Sequence, residues 1–295
     1  MNISQSLLKS LLDYRNGKEC GLIFKAKYID GRYDLFPPSD AQNVGAWFEY
    51  KCTGSIPKNG TVPQPEYMKR GKDENGMPQL TAEYRLMNEH IANFHRMMDK
   101  YGFELIRAGE DIRSLLPNSL DKYGEDVWLT GTLDIRAKAT ATIYSTYENT
   151  KVCVVEAGQE VIIDMKTTGL LDDKWSDFGW ELGNLSNKVK LVTQPVHYKM
   201  IEKMNKGVDI PFLFMLFSTR NGKDARIIDF KIDDIAYDEH NAFIEIGVEN
   251  MLYLKQHGFK ATPSLEKCSD CPLRDSCEFR ATTAPITIFY FASHS

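Results

Sequence analysis

The sequence has no long hydrophobic run and no excess of positive charge. No stretch approaches eighteen consecutive apolar residues, so no membrane-spanning helix is predicted. The first twenty residues lack the basic and then apolar order of a secretory signal, which predicts an intracellular, cytoplasmic protein. Lys and Arg number 36 against 41 Asp and Glu, giving a net charge of −5. This balance argues against a protein that coats nucleic acid through a broadly basic surface.

Cysteine is scarce, with six residues in a chain of 295. A chain of this length can bury a sizeable core without covalent cross-links. Three of the six cysteines, Cys268, Cys271 and Cys277, lie within ten residues of one another. In an intracellular protein of this size, such clustering favours a metal or cluster site over disulfides.

The pattern of apolar residues predicts helices flanking a group of strands. Helical spacing is found at 3–15, 41–52, 81–101, 187–206 and 235–257. Strands are indicated by the β-branched segments FELIRAGEDI, VWLTGTLDIRAKAT, KVCVVEA, EVIIDMKTT and ARIIDFKI and by the wholly apolar FLFMLFSTR. Residues 53–80 and 170–186 are predicted to be loops. The order of elements indicates an α/β fold in which helices flank a mixed sheet.

A carboxylate and a lysine alternate at the end of one apolar strand. Asp164 and Lys166 in VIIDMKTT lie two residues apart and point to one face, while Met165 packs behind them. The carboxylate can bind a divalent cation, and the lysine can orient water or offset charge on a phosphate. Asp134 follows a predicted Gly-Thr-Leu turn and begins a neighbouring strand, so it could reach the same cation for metal-assisted attack on a phosphodiester. Taken singly, such residues are more often exposed ion pairs.

Two predicted helices carry further polar candidates. Gln194 and Tyr198 are four residues apart and share one helical face, where they could bind a phosphate and steady the lysine. The alternative is a partly buried tyrosine bonded to a nearby amide. Glu49 lies between aromatic residues on the helix at 41–52 and could be a third acidic ligand. Its alternative is a solvated helix carboxylate.

The spacing Cys268-x2-Cys271-x5-Cys277 suits one soft metal centre. Cys20 is the best candidate for a fourth ligand and Cys52 is the next, whereas Cys153 lies in an apolar strand and is predicted to be a core residue. Four thiolates can bind Zn²⁺ or a [4Fe–4S] cluster. Because zinc sites usually use two close cysteine pairs, three near cysteines and one distant cysteine favour the cluster. The alternative is three ordinary reduced cysteines.

Together these motifs resemble the PD-(D/E)xK nuclease superfamily, in particular RecB-like and Cas4-like nucleases and their phage-encoded relatives. The matching residues run in family order: Cys20, Glu49, Gly131 to Asp134, Asp164-Met165-Lys166, Gln194 to Tyr198, and Cys268, Cys271 and Cys277. The resemblance implies a restriction-endonuclease-like core in which Mg²⁺ or Mn²⁺ is bound at Glu49, Asp134, Asp164 and Met165. It also implies catalytic roles for Asp134, Asp164, Lys166, Gln194 and Tyr198 and a [4Fe–4S] cluster, or else Zn²⁺, on the four cysteines.

The resemblance also sets the expected organisation and function. We expect an N-terminal helical region at 1–104, a nuclease core at 105–260, and a Cys-rich segment at 261–295 that packs with the Cys20 region. The expected activity is metal-dependent hydrolysis of DNA, as an exonuclease on ends or single strands in recombination, repair or phage DNA processing. The alternatives are a catalytically silent module that binds DNA ends, or a redox role for the cluster.

Two departures from the family pattern stand out. Many relatives carry histidine where this sequence has Glu49. The segments 53–80 and 170–186 are also longer than the family pattern leads us to expect. The second comes soon after Lys166 and could shape substrate access, and the aromatic side chains of Trp175, Phe178 and Trp180 could stack on bases or simply pack.

Overall fold

The fold was obtained as a computed structural model. It describes residues 1–279 apart from 58–61, 63–66, 73, 81, 148, 169–174, 177–178, 181–184, 219–223 and 230. The helices in this part of the chain are α1 (Gln5–Arg15), α2 (Gly21–Tyr28), α3 (Asp40–Thr53), α4 (Ala82–Tyr101), α5 (Ser119–Tyr123), α6 (Leu185–Lys206), α7 (Asp234–His257) and α8 (Leu265–Ser269). The strands are β1 (Asn2–Ser4), β2 (Tyr67–Lys72), β3 (Pro78–Leu80), β4 (Phe103–Leu115), β5 (Trp128–Ala139), β6 (Ile143–Tyr147), β7 (Thr150–Val155), β8 (Glu160–Thr168), β9 (Trp175–Ser176), β10 (Gly179–Trp180), β11 (Phe212–Ser218) and β12 (Ala225–Asp229).

A six-stranded mixed sheet forms the centre of the fold. Its order is β1-β5-β8-β11-β12, and β4 pairs with β5. The β8–β11 and β1–β5 pairs are parallel, while β4–β5, β5–β8 and β11–β12 are antiparallel. The predicted α/β class, with a mixed sheet flanked by helices, is therefore confirmed.

The edge of β5 that faces away from β4 is shared by two strands. β1 pairs with residues 128–130 of β5, and β8 pairs with residues 135–138. Because β4 pairs along the whole of β5, both β1 and β8 must lie on the opposite edge. Residues 131–134, the Gly-Thr-Leu-Asp segment, have no strand partner there among the residues that the structure describes. Buried backbone groups in this gap therefore need side chains or water as their partners.

The main hydrophobic core lies between the sheet and helices α3 and α4. Phe48 of α3 packs edge-on against Phe217 of β11 at 4.9 Å between ring centroids. Ile163 and Met165 of β8 belong to the same buried cluster. Every residue of β11 is buried, as its uniformly apolar sequence predicts for a strand covered on both faces.

Contacts divide the chain into two units. The first comprises residues 1–5 and 38–245, and the second comprises residues 6–37 and 246–295. In the second unit, Phe24 stacks on Phe259 at 5.9 Å, and Gly247 admits the side chain of Leu8. The predicted boundaries at 104 and 260 stay predictions.

Some local features differ from the sequence prediction. Within the predicted loop 53–80, β2 and β3 form an antiparallel hairpin. Gly131–Asp134 lies inside β5 and not in a turn that precedes it. The prediction that Cys153 is a core residue is wrong: Cys153 is exposed, because β7 pairs with β6 in a ribbon that has two strands among the residues described. None of the helices described has the length and apolar character needed to cross a bilayer.

Two buried histidines connect α6 and α7 to β5. His197 Nε2 donates to the carbonyl oxygen of Thr130 at 3.2 Å, and His197 Nδ1 accepts from His240 Nε2 at 3.1 Å. Burial, with a smaller effect from His197, lowers the pKa of His240 to about 3. The folded chain therefore keeps His240 neutral where an unfolded chain would protonate it.

This difference predicts that the protein loses stability in mild acid. Between pH 6.5 and 3 the unfolded chain binds one more proton at His240, so the free energy of unfolding should fall with decreasing pH by up to about 1.4 kcal/mol per unit. Denaturant unfolding at pH 7 and pH 4.5 should show a smaller loss for His240→Gln than for wild type. His95→Gln, at an exposed helix position, is the matched control. Equal losses in all three proteins would contradict the prediction.

Candidate functional site

The pairing between β5 and β8 ends beside two aspartates. The last backbone pair is Ile135 with Ile163, so the next residues on each strand, Asp134 and Asp164, face one another. Beyond this pair, Asp134 Oδ2 accepts a hydrogen bond from the Met165 backbone N–H at 3.0 Å. A side-chain carboxylate thus replaces the backbone acceptor at the point where the two strands separate. The two predicted carboxylates are therefore neighbours.

Asp164 is almost fully buried, with 1% of its surface exposed, and both its oxygens have close partners. Gln194 Nε2 donates to Oδ1, and Lys166 Nζ forms an ion pair with Oδ2. The ammonium also lies over the Phe214 ring, 5.8 Å from its centroid. The Asp164 carboxylate is therefore in direct contact with an ammonium from its own strand and an amide from α6.

Tyr198 fills the gap in β5. A hydrogen bond links its hydroxyl to the backbone of Thr132, and its ring lies against Gly131. A Cβ atom at Gly131 would lie 2.9 Å from Cδ1 of the ring and closer still to Cε1. Gly131 therefore lets the aromatic ring approach the strand backbone. The φ value of Gly131 is not in the left-handed region. Glycine is therefore needed here because a side chain would overlap the ring, and not because of the backbone conformation.

Negative charge dominates the site. Burial and the Asp164 carboxylate raise the pKa of Asp134 well above its usual range. Burial would lower the pKa of Lys166, but Asp164 and Asp134 outweigh it and raise that pKa. Burial, with Asp164 and Asp134, also raises the pKa of Tyr198 to about 12. A bound cation would reverse the effect on the carboxylates, because it would stabilise their ionised forms.

Glu49 of α3 lies within electrostatic range of the two aspartates. Burial and Asp164 raise the pKa of Glu49, and Glu49 in turn raises the pKa of Asp134. Met165 differs from the other predicted metal-binding residues, because its side chain belongs to the hydrophobic core. Only the Met165 backbone could contact a cation. The described structure therefore brings all the predicted hydrolytic residues to one place.

The site has the donor chemistry that a hard cation needs. Mg²⁺ prefers oxygen ligands and commonly uses one or two carboxylates while it keeps several waters. Among the residues described, no three His, Cys, Asp or Glu side chains converge closely enough to surround a single ion. Asp134 and Asp164 nevertheless provide two carboxylates that repel one another.

In the second unit, all four predicted cluster ligands line one cavity. Cys20, Cys268, Cys271 and Cys277 share it with apolar neighbours that include Leu22, Ile23 and Leu273. The Thr262 backbone N–H donates to Cys20 Sγ at 3.4 Å. Burial raises the pKa of Cys271, and the three other thiols add to the shift. The three other sulfurs are thus close enough to Cys271 to affect it electrostatically, although among the described residues no three cysteines converge tightly enough to surround a single ion.

The other predicted candidates lie elsewhere. Cys52 is buried in the core of the first unit, and exposed Cys153 lies outside the thiol cavity. The side chains of Trp175 and Trp180, and the whole of Phe178, lie outside the described residues. The base-stacking hypothesis therefore stays a prediction.

Sequence reasoning missed Arg136 and Glu202, which pair with each other beside the site. The available signal was periodicity. Arg136 follows Asp134 by two residues on a strand, and Glu202 follows Tyr198 by four on a helix. Each residue therefore lies on the same face of its element as a predicted catalytic residue.

The contact between Gly131 and Tyr198 predicts that Gly131→Ala destabilises the protein. The added methyl group would overlap the ring and cost about 1–3 kcal/mol. Combining it with Tyr198→Ala should remove most of this cost in a double-mutant cycle measured by denaturant unfolding. Gly45→Ala in α3, where a Cβ meets nothing within 4 Å, should be neutral or stabilising. An equal cost of Gly131→Ala with and without the Tyr198 ring would contradict the assignment.

Comparison with known proteins finds a similar fold among solved structures. No family model matches the sequence, and no curated protein matches it. The fold is similar to that of a crystal structure from Eubacterium rectale described as a "Putative exonuclease". The two chains are 19% identical, the TM-score is 0.59, and the alignment covers 97% of this chain and 91% of the other. The chain thus shares its mixed α/β fold with that protein over nearly its whole length.

Proposed function

We propose that this protein is a metal-dependent nuclease of the PD-(D/E)xK type that hydrolyses phosphodiester bonds in DNA. The observation that carries the proposal is the convergence of Asp134, Asp164 and Lys166 where β5 and β8 separate. The motifs that bring these residues together occur in the order that the nuclease family uses. The description of the structural neighbour as an exonuclease is consistent with this activity.

The proposed chemistry needs a divalent cation and a cationic side chain. Asp134 and Asp164, with Glu49 and the Met165 backbone nearby, would bind Mg²⁺ or Mn²⁺. When bound, the cation would lower the pKa of a water molecule and neutralise charge on the phosphate. Water attacks phosphorus, the bond to the leaving sugar oxygen breaks, and that oxygen takes up a proton.

The chain's own side chains orient this reaction. The neighbouring carboxylates raise the pKa of Lys166 and so favour its protonated amine, which can donate hydrogen bonds to phosphate and orient the attacking water. Gln194 fixes one oxygen of Asp164, and Tyr198 occupies the gap in β5 beside it. These two residues support the carboxylates from α6.

We further propose that the enzyme is an exonuclease that acts on DNA ends or single strands. This assignment rests on the family resemblance and on the description of the structural neighbour. A purely DNA-binding role would not require a buried carboxylate paired with a lysine at the proposed reaction centre. Cleavage assays separate the two roles.

The proposal predicts that single substitutions at the site abolish cleavage. Asp164→Asn and Lys166→Met should each slow Mg²⁺-dependent or Mn²⁺-dependent digestion of end-labelled linear DNA by at least about 100-fold. Glu104→Gln and Lys138→Met are matched controls, because both residues are exposed on neighbouring strands. Equal cutting by all five proteins would exclude this site.

Covalently closed circular DNA tests the exonuclease assignment separately. An exonuclease leaves circular single strands intact and degrades the linear form of the same molecule. Linear substrates blocked at the 5′ or the 3′ end would then report the polarity. Rapid cutting of the circle would contradict the exonuclease assignment while leaving the nuclease assignment intact.

We also propose that Cys20, Cys268, Cys271 and Cys277 bind a [4Fe–4S] cluster. Their shared cavity, the apolar surroundings and the N–H donated to Cys20 Sγ support this assignment. Metal bound there would hold residues from both ends of the second unit together and stabilise it. Four thiolates could also bind Zn²⁺.

Anaerobic purification should give a brown protein with about four iron and four sulfide per chain. Cys271→Ser should lower the iron content and the melting temperature, whereas Cys153→Ser should change neither, because Cys153 lies outside the cavity. A colourless protein with one bound zinc ion would contradict the cluster assignment and support Zn²⁺ at the four cysteines. Equal iron content in both variants would contradict the ligand assignment.

A further inference from the structure

A buried ion-pair network lies next to the proposed catalytic site. Arg136 of β5 is 4% exposed and Glu202 of α6 is 1% exposed. The guanidinium donates to both oxygens of Glu202, at 2.8 and 3.0 Å. It also donates to Glu110 at 2.6 Å and to Glu160 at 3.1 Å. One arginine therefore connects β4, β5, β8 and α6.

This arrangement fixes geometry more strongly than it adds stability. Burial would raise the pKa of Glu202, but the hydrogen bonds from Arg136 lower it, so the pair stays ionised. The free-energy cost of removing two charges from water cancels much of the attraction between them. A protein with a pair of apolar residues of similar volume at such a site is therefore often as stable. A bidentate arginine–carboxylate pair, however, accepts only a narrow range of orientations. Fixing the register of one packed element against another is the best-attested role of such buried pairs.

The position of the pair couples it to the proposed site. Gln194, Tyr198 and Glu202 follow one another at intervals of four, so they lie along one face of α6. Asp134 and Arg136 are two residues apart on β5 and share one face of that strand. Glu202 therefore lies about one helical turn beyond Tyr198, or about 6 Å along the helix axis at about 1.5 Å per residue. A helix fixed at Glu202 cannot slide along β5 without moving Tyr198 and Gln194.

We propose that the Arg136–Glu202 ion pair sets the register of α6 on β5 and thereby positions Gln194 and Tyr198 at the catalytic carboxylates. Arg136 and Glu202 are positioning residues: they do not contact substrate but act through α6. The catalytic consequence rests on the proposed nuclease function. The structural consequence, a fixed register of α6, does not.

Four variants separate positioning from simple stabilisation. Arg136→Met and Glu202→Gln each break the pair. The double variant Arg136→Met/Glu202→Met removes both charges and leaves an apolar contact. Lys206→Met is the matched control, because Lys206 pairs with the same Glu202 at 3.2 Å from a more exposed position. Thermal unfolding, kcat and KM on linear DNA, and hydrogen exchange of the amides of residues 194–202 are measured for each.

Positioning predicts a specific set of results. Arg136→Met and Glu202→Gln should lower kcat by about 100-fold, with a much smaller change in KM for DNA, since small misplacements of catalytic groups have effects of that size. The double variant should regain thermal stability without regaining kcat. Lys206→Met should remain close to wild type. Exchange at 194–202 should accelerate in the first three variants but not in the control.

Three outcomes would overturn the proposal. They are wild-type kcat in folded Arg136→Met, recovery of kcat together with stability in the double variant, and unchanged hydrogen exchange across α6. If Arg136→Met does not fold, the same measurements are made on Arg136→Lys and on the double variant. If the wild-type protein does not cut DNA, the nuclease proposal fails, and the exchange data alone decide whether the pair fixes α6.

Discussion

The structure depends on one interruption of hydrogen bonding, at the point where β5 and β8 stop pairing. The Asp134 carboxylate accepts the Met165 N–H where a strand carbonyl would otherwise lie, and this brings Asp134 opposite the buried Asp164. Side chains of α6 bond to the backbone of β5 at this point, His197 to Thr130 beside the gap and Tyr198 to Thr132 within it. A defect in the sheet is thus both the site of the carboxylates and the docking position of a helix.

This arrangement is electrostatically unfavourable unless a cation compensates for it. Among the described residues, three carboxylates (Asp134, Asp164 and Glu49) lie near the ammonium of Lys166. Burial, together with repulsion between the carboxylates, raises the pKa values of Asp134 and Glu49. Strongly perturbed pKa values in a cluster of carboxylates are a feature of functional sites. The Arg136 network, a few residues away, has the opposite character, because its carboxylates surround a cation. The two clusters share β5 and α6 but differ in whether the protein itself supplies the counter-charge.

Periodicity in the sequence was sufficient to predict the central elements. The strands containing Asp164 and FLFMLFS, and the helix containing Gln194, were expected within a few residues of their observed limits, because apolar spacing reflects burial directly. Other features depend on distant partners. Arg136 pairs with Glu202, which is 66 residues away in the sequence. Glycine is needed at position 131 because the Tyr198 ring lies against it. The apolar VCVV segment lies on a ribbon that leaves Cys153 exposed. Local pattern can assign a residue to one face of its element, but it does not identify the distant partner.

The central claim is that Asp134 and Asp164 form a cation site before any DNA is bound. Isothermal titration calorimetry with Mn²⁺ on the DNA-free protein tests it directly. The account predicts a binding isotherm for wild type that is lost in Asp134→Asn and Asp164→Asn and kept in Glu104→Gln. An isotherm of equal affinity and stoichiometry in all four proteins would show that the metal binds elsewhere and would contradict the account.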